Sequence, residues 1–132
     1  MSVNKVILVG NVGRKPEIRY VDTRPVATFS LATNEPARRL PDGREIPQRT
    51  EWHEIVMWDA AAETAERYID RGTKLYIEGK LRTRQWQDRN AITRRVTEIV
   101  VETFDILSRP AVASATPAPA PAPAPASPQQ IR

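Results

Sequence analysis

Apolar and polar residues alternate over most of the first 109 positions in a way that predicts short strands. The first, Val3 to Val12, is almost continuously apolar, with Gly10 as an expected bend or bulge. Later strands are expected at 18–21, 26–33, 51–58, 74–86 and 92–107. In the strand at 74–86, Leu75, Ile77 and Leu81 occupy the inward positions. The outward positions hold Tyr76, Glu78, Lys80, Arg82, Arg84 and Trp86.

One short helix interrupts the strands. Asp59 is a plausible N-cap, and the apolar residues that follow recur at helical spacing: Ala61, Ala65, Tyr68 and Ile69. Gly72, just past Arg71, is the expected C-terminal stop. Residues 34–50 hold three prolines and Asp42-Gly43, so a long, turn-rich excursion is expected there rather than an element. An all-β fold results, an OB-fold: a five-stranded Greek-key barrel with one helix between its third and fourth strands.

The last 23 residues differ from the rest. From Pro110 to Arg132 the chain holds seven of its twelve prolines and one charged residue. Alternating Ala and Pro favours extended polyproline II and cannot build a core. We therefore expect a folded domain at 1–109 and a disordered Ala/Pro-rich tail at 110–132.

Basic charge is concentrated in one predicted hairpin. The chain carries a formal net charge of only +4, yet residues 80–95 contain six basic residues against Asp88 alone: Lys80, Arg82, Arg84, Arg89, Arg94 and Arg95. Charge focused in this way indicates a groove for a polyanion. No cysteine is present, which excludes disulfides and thiolate metal sites, and no apolar run is long enough for a signal or membrane segment. A cytoplasmic, nucleoid-associated protein is expected.

Three tryptophans give the positive charge a function. Trp86 shares its strand face with Arg82 and Arg84, and indole beside guanidinium is typical of sites that hold unpaired nucleic-acid bases. Trp52 and Trp58 are six residues apart, so they share a strand face about 20 Å from each other. Trp58, beside the helix cap, could instead plug the barrel end. The excursion would add a flexible clamp on phosphate through four arginines: Arg38, Arg39, Arg44 and Arg49.

His53 is the only histidine, and Glu54 and Asp59 lie near it in sequence. A metal-dependent nuclease would need three or four convergent ligands and a supporting motif, neither of which the sequence provides. We expect a structural or interface histidine, no metal, no cofactor and no catalysis.

Four separated motifs, in order, resemble the bacterial single-stranded DNA-binding protein family: Val3–Gly13, Pro16–Tyr20, Thr50–His53 and Tyr76–Arg84. The resemblance covers about residues 2–109. It implies an OB-fold subunit, usually of a homotetramer, that wraps single-stranded DNA in replication, recombination and repair. It also implies base stacking by Trp52, Trp58 and Trp86, and basic positions along the DNA path at Arg71, Arg82 and Arg84. His53, Tyr76 and Glu78 match positions used in subunit contacts.

The chain departs from the family pattern at three places. A common tryptophan is missing near Ala37, Glu54 stands where a basic residue is usual, and the end at Arg132 carries no acidic tip for recruiting genome-maintenance proteins. The missing tip is expected either if the sequence is truncated or if this variant does not recruit partners in that way. The missing tip and Ala37 favour the alternative of an accessory role, as a plasmid- or transposon-type or primosomal OB protein acting mainly through protein contacts. RNA binding is a weaker alternative, because stacking tolerates RNA.

Overall fold

The computed structural model describes residues 1–110, so the predicted tail lies outside the described residues except for Pro110. The described chain forms eight strands and one helix. They are β1 (Val6–Val12), β2 (Glu17–Val21), β3 (Arg24–Glu35), β4 (Arg38–Arg39), β5 (Glu45–Ile46), β6 (Arg49–Trp58), α1 (Ala60–Tyr68), β7 (Lys74–Gln87) and β8 (Thr93–Ser108).

Five strands close into a barrel. Their order is β1-β7-β8-β6-β3, and β1 pairs with β3 through Asn11–Ala32 and Val12–Leu31 to complete the circle. The β6–β8 pair is parallel, whereas the other barrel pairs are antiparallel. Strand β2 adds to β3 outside the circle, and α1 lies between the third and fourth barrel strands. The predicted OB-fold is confirmed.

Two glycines allow strands to approach closely in the barrel wall. A Cβ on Gly10 would lie 2.2 Å from the carbonyl oxygen of Ala32, and one on Gly79 would lie 2.2 Å from that of Val100. The register between β1 and β7 is continuous through Gly10, so the predicted bulge there is wrong. The irregularities fall in the β7–β8 ladder, at Lys74/Leu75 and Glu78/Gly79.

Helix α1 is shorter than its apolar pattern predicts. It ends at Tyr68, and Ile69 is already extended and fully buried in the core, so the helix stops well before Gly72. A turn follows in which the Asp70 N–H donates to the Thr73 hydroxyl. The buried helix face is formed by Ala62 and Ala65, while Tyr68 is exposed.

The excursion at 34–50 contains more strand than predicted. Strand β3 continues to Glu35, β6 begins at Arg49, and β4 pairs with β5 as a small hairpin. Its turn is closed by the Leu40 N–H, which donates to the Arg44 carbonyl, and by Gly43 at φ 92°. The ends of this turn-rich segment extend β3 and β6, which pair with each other as far as Glu35 and Arg49. The chain between them forms the small β4–β5 hairpin.

The β7–β8 hairpin projects beyond the barrel. Strand β1 pairs with β7 only as far as Gly79, and β6 pairs with β8 at Ile99 and Val100, so the outer part is a two-stranded ribbon. Leu81, predicted to be inward, is consequently 50% exposed. The Asn4 side chain donates to its carbonyl and accepts from its N–H, each at 2.9 Å, in place of a strand.

Candidate nucleic-acid interface

The three tryptophans lie on one face of the barrel sheet. Val56 pairs with Val100, and Val100 pairs with Lys80 across the next ladder. Counting in steps of two from these positions reaches Trp52 and Trp58 on β6 and Trp86 on β7. Even spacing predicted the shared face of the first pair, and the ladder adds the third tryptophan.

Trp52 is the most open of the three, at 59% exposure. Its ring lies against Gly13, where an added Cβ would come within 2.4 Å of Cζ3. A cleft of about 420 Å³ opens beside it, with Arg71, Asn34 and Gln48 among its lining residues. Predicted stacking and phosphate-binding residues from separate parts of the chain thus meet here.

Trp58 is half-buried and carries an arginine on its ring. The Arg24 guanidinium carbon lies 4.6 Å from the ring centroid, within cation–π range. The same guanidinium donates two hydrogen bonds to Asp59, at 3.0 and 2.8 Å. The hydrogen bond from Arg24 is the main reason that the pKa of Asp59 is lowered. Asp59 therefore holds Arg24 over Trp58, although it stands at the N-cap position and makes no side-chain cap hydrogen bond.

Trp86 is 47% exposed on the projecting ribbon, directly opposite Arg94. Lys80, Arg82 and Arg84 precede it on the same face of β7, as predicted. Arg95 pairs with Gln85 and so belongs to the other face. The ribbon thus presents an exposed indole and several cationic groups together on one side.

Carboxylates of the ribbon already engage two of its cations. Arg84 Nε donates to Glu98 at 3.1 Å, and Arg94 Nε donates to Asp88 at 3.0 Å. Asp88 also accepts from the Asn90 and Ile92 backbone N–H groups, and the bond from Ile92 is the largest reason that its pKa is lowered. Within residues 1–110, Arg82 and Arg95 form no ion pair.

Acidic neighbours also engage three of the four arginines in residues 34–50. The pairs are Arg39–Glu45 at 2.7 Å, Arg44–Asp42 at 2.8 Å and Arg49–Glu51 at 3.6 Å. Arg38 borders a depression that Pro36, Ile46 and Pro47 also line. Because all these pairs are exposed, each is weak and open to exchange with a phosphate.

Three arginines near the tryptophan face were missed by sequence reasoning. Arg19 borders the depression that contains Trp58, Arg24 covers the Trp58 ring, and Arg14 lies 3.7 Å from Glu54. Arg19 and Arg24 arrive there through the pairing of β2 with β3 and of β3 with β6, and Arg14 lies in the loop between β1 and β2. Only that register, which the linear pattern does not contain, could have placed them.

His53 is separated from the acidic residues that might have made a metal site. It faces the opposite side of β6 from Glu54, and its Nε2 lies 2.9 Å from the Thr33 hydroxyl. No three His, Cys, Asp or Glu side chains of the described part of the chain are grouped to hold a metal ion. Nor does that part contain a helix with the length and apolar character needed to cross a membrane.

Tyr76 and Glu78 lie on a second surface, away from the ribbon. Their neighbours across the β1–β7 ladder are Val9 and Ile7, which are large, apolar and exposed. Tyr76 donates its hydroxyl proton to Glu78, which also accepts from Lys5 at 3.1 Å. The hydrogen bond to Glu78 raises the pKa of Tyr76, and the pKa of Glu78 is lowered, first by Tyr76 and then by Lys5. His53 is elsewhere, since β8 lies between β6 and β7.

Comparison with known proteins gives this arrangement a family. A single-stranded DNA-binding protein of Bacteroides thetaiotaomicron is 50% identical over 109 residues, which are 82% of this chain and 68% of the relative. One of Rhizobium meliloti is 47% identical over 106 residues, 79% of this chain and 60% of the relative. A solved structure described as the Plasmodium falciparum SSB complex with ssDNA matches with a TM-score of 0.74 and 35% identity, covering 82% of this chain and 97% of that one. The model of the single-strand binding protein family matches residues 3–107, and the chain belongs to that family.

Proposed function

We propose that this protein binds single-stranded DNA without reading its base sequence, and protects it during replication, recombination and repair. The observation that carries the proposal is that Trp52, Trp58 and Trp86 share one sheet face with the cations of the β7–β8 ribbon. Indole rings stack on any base and cations neutralise phosphate, so such a face tolerates every sequence.

Family membership supports single-stranded DNA as the ligand. The relatives bear that function in their names, and the Plasmodium falciparum chain was solved with single-stranded DNA. Membership also makes this a binding protein and not an enzyme.

The three tryptophans are assigned to base stacking, and the phosphate path is assigned to basic side chains around them. Those side chains are Arg38, Arg39, Arg44, Arg49, Arg71, Lys80, Arg82, Arg84, Arg94 and Arg95. Arg71 supports this assignment by bordering the cleft beside Trp52, and Arg94 by lying opposite Trp86. Arg95 would contact DNA only by passing around the ribbon, because it starts on the other face.

One further surface supports assembly into a homotetramer, and His53 is assigned to a second contact. Ile7 and Val9 expose apolar area beside Tyr76 and Glu78, an arrangement that a two-fold contact between copies would bury. His53 lies elsewhere on the barrel and is assigned to a second contact. A closed tetramer of two-fold symmetric pairs needs two different interfaces, and these residues supply a candidate for each.

The proposed DNA-binding unit is residues 1–109, acting in the cytoplasm on the nucleoid. The aromatic and basic residues assigned to DNA all lie within that range. The Ala/Pro segment after it carries one charge and no aromatic, so it is given no part in binding DNA.

The test is a titration of the Trp86→Ala and Trp52→Ala variants with oligo-dT, with tryptophan fluorescence as the measure of binding. Loss of one stack is worth roughly 1–3 kcal/mol, so each variant should bind about tenfold or more weakly. Tyr68→Ala, which removes an exposed aromatic on α1, is the matched control and should bind like wild type. Wild-type affinity in both tryptophan variants would reject the stacking assignment and favour a role carried by protein contacts.

A further inference from the structure

Glu98 on β8 is a charged side chain in an unusual position. At 9% exposure it is the one buried carboxylate among residues 1–110, and it sits on the sheet face that carries the tryptophans. A carboxylate withdrawn from water is costly unless a hydrogen-bonding cation compensates for it. Arg84 provides that partner, with Nε donating to Oε2 at 3.1 Å.

Glu98 forms its ion pair with a diagonal neighbour on β7, not with the residue directly opposite it. Arg82 is directly opposite Glu98 in the ladder, yet the ion pair is made with Arg84, whose own opposite residue is Val96. The Arg84 side chain remains 48% exposed, whereas that of Glu98 is 11% exposed. Glu98 therefore holds the guanidinium of Arg84 from the buried side, while the Arg84 side chain remains partly exposed to solvent.

This contact leaves the two Nη groups of Arg84 available to bind a ligand. A guanidinium is a rigid plane with five N–H donors, and only Nε is bonded to Glu98. None of the hydrogen bonds in the described chain uses the Nη groups of Arg84. Bonding Nε to a buried acceptor also restricts the direction of the two Nη groups, which can bind a phosphate with two hydrogen bonds.

The pair lies where a DNA strand would pass. Two adjoining surface depressions share Arg19, Thr28, Arg84 and Glu98. One continues to Trp58 and Arg82, and the other continues to Glu54. A nucleotide bound in the depression beside Trp58 would thus bring its phosphate toward the fork of Arg84.

We propose that Glu98 is a positioning residue for DNA binding: it orients Arg84 toward the phosphate beside Trp58. The inference rests on the proposed function. It runs against simple electrostatics, because a negative charge under a DNA-binding surface repels phosphate. Removing that charge should tighten binding if only net charge matters, and should weaken binding if Glu98 positions Arg84.

The opposite signs make the test decisive. Glu98→Gln and Glu98→Ala are compared with Glu102→Gln and Glu102→Ala, which remove the same charge from an exposed residue of the same strand. Binding of oligo-dT is measured at several salt concentrations. We expect both Glu102 variants to bind as wild type or more tightly, Glu98→Ala to bind about fivefold more weakly, and Glu98→Gln to fall between them. The slope of log K against log[salt] should become shallower only in the Glu98 variants, toward that of Arg84→Ala.

An Arg84→Ala background supplies the second measurement. There, Glu98→Gln should no longer weaken binding, because there is no guanidinium left to orient. Glu98 variants that bind like their Glu102 counterparts, with equal salt slopes, would overturn the proposal. Should Glu98→Ala fail to fold, the near-isosteric Glu98→Gln decides by the same criteria. Trp86→Ala in parallel separates the two hypotheses: normal affinity there rejects the proposed function, whereas weakening there with normal Glu98 variants rejects only the positioning role.

Discussion

Gly13→Ala should weaken DNA binding although Gly13 has no side chain to offer DNA. The new methyl group would come within 2.4 Å of Trp52 Cζ3 and 2.9 Å of Cη2. The remaining close contact, Ser30 Oγ at 2.9 Å, is a hydroxyl that rotates away. The indole must therefore leave its place on Gly13, and it is free to do so because 59% of Trp52 is exposed.

The size of the effect follows from the stacking that is lost. A complete base–indole stack is worth roughly 1–3 kcal/mol, and a displaced ring should lose about 1 kcal/mol of it, or about fivefold in affinity. Stability should change little, because Gly13 has no positive φ that would strain an alanine and the displaced ring moves into water. The variant thus separates ring placement from folding.

The assay is fluorescence titration with oligo-dT for Gly13→Ala, Trp52→Ala and the double variant, alongside thermal melts. We expect Gly13→Ala to approach Trp52→Ala in affinity, and the double variant to match Trp52→Ala alone, since both changes act on one ring. Wild-type affinity in Gly13→Ala, or full additivity in the double variant, would refute the reasoning.

Three other outcomes are expected. A plot of log K against log[salt] should have a slope of about −0.7 per phosphate neutralised, and the double variant Arg82→Ala/Arg84→Ala should make that slope shallower. Trp86→Ala should instead lower the affinity at a nearly constant slope. A cut after Arg109 should change neither quantity, and a large loss of affinity on truncation would contradict the domain division. Sedimentation should show a tetramer at micromolar concentration, Ile7→Glu and His53→Ala should shift it to smaller species, and a wild-type monomer would reject the two assigned contacts. Because the pKa of Asp88 is lowered in the folded chain, its stabilisation of the ribbon turn is present above the unfolded pKa and is lost as pH falls through the folded one. The protection factor of the Ile92 amide, which is its exchange rate relative to that of an unstructured peptide at the same pH, should therefore fall in acid. A protection factor that falls equally in Asp88→Asn would contradict this.

Periodicity along the chain was enough to predict the barrel and much of the face. Even spacing placed Trp52 with Trp58 and put Arg82, Arg84 and Trp86 on one side of β7. These predictions succeed because a strand fixes side-chain direction locally, with a period of two. Leu81 shows the limit of this reasoning: its direction was predicted, but whether that direction is covered depends on where β1 stops pairing.

Cross-strand register was the information that the linear pattern lacked. Arg24 reaches Trp58, and Glu98 reaches Arg84, through pairings that join segments far apart in the chain. The predicted end of the helix was wrong for a related reason. Ile69 continues the apolar repeat, but it is extended and packs in the core instead of continuing the helix. Tertiary contacts there outweigh local propensity.

Ion pairs also change how the basic charge of residues 80–95 should be understood. The sequence contains six cations there, but Arg84 and Arg94 already have carboxylate partners in the ribbon, and three arginines of residues 34–50 have partners of their own. A phosphate that displaces such a carboxylate exchanges one ion pair for another, so each contact yields less net attraction than a free cation would. If the tryptophans bind bases as proposed, stacking then supplies a larger share of the affinity than the charge count implies. Those carboxylates orient the cations through ion pairs that a phosphate can displace. Such an arrangement suits a surface that must hold a strand of any sequence and also release it.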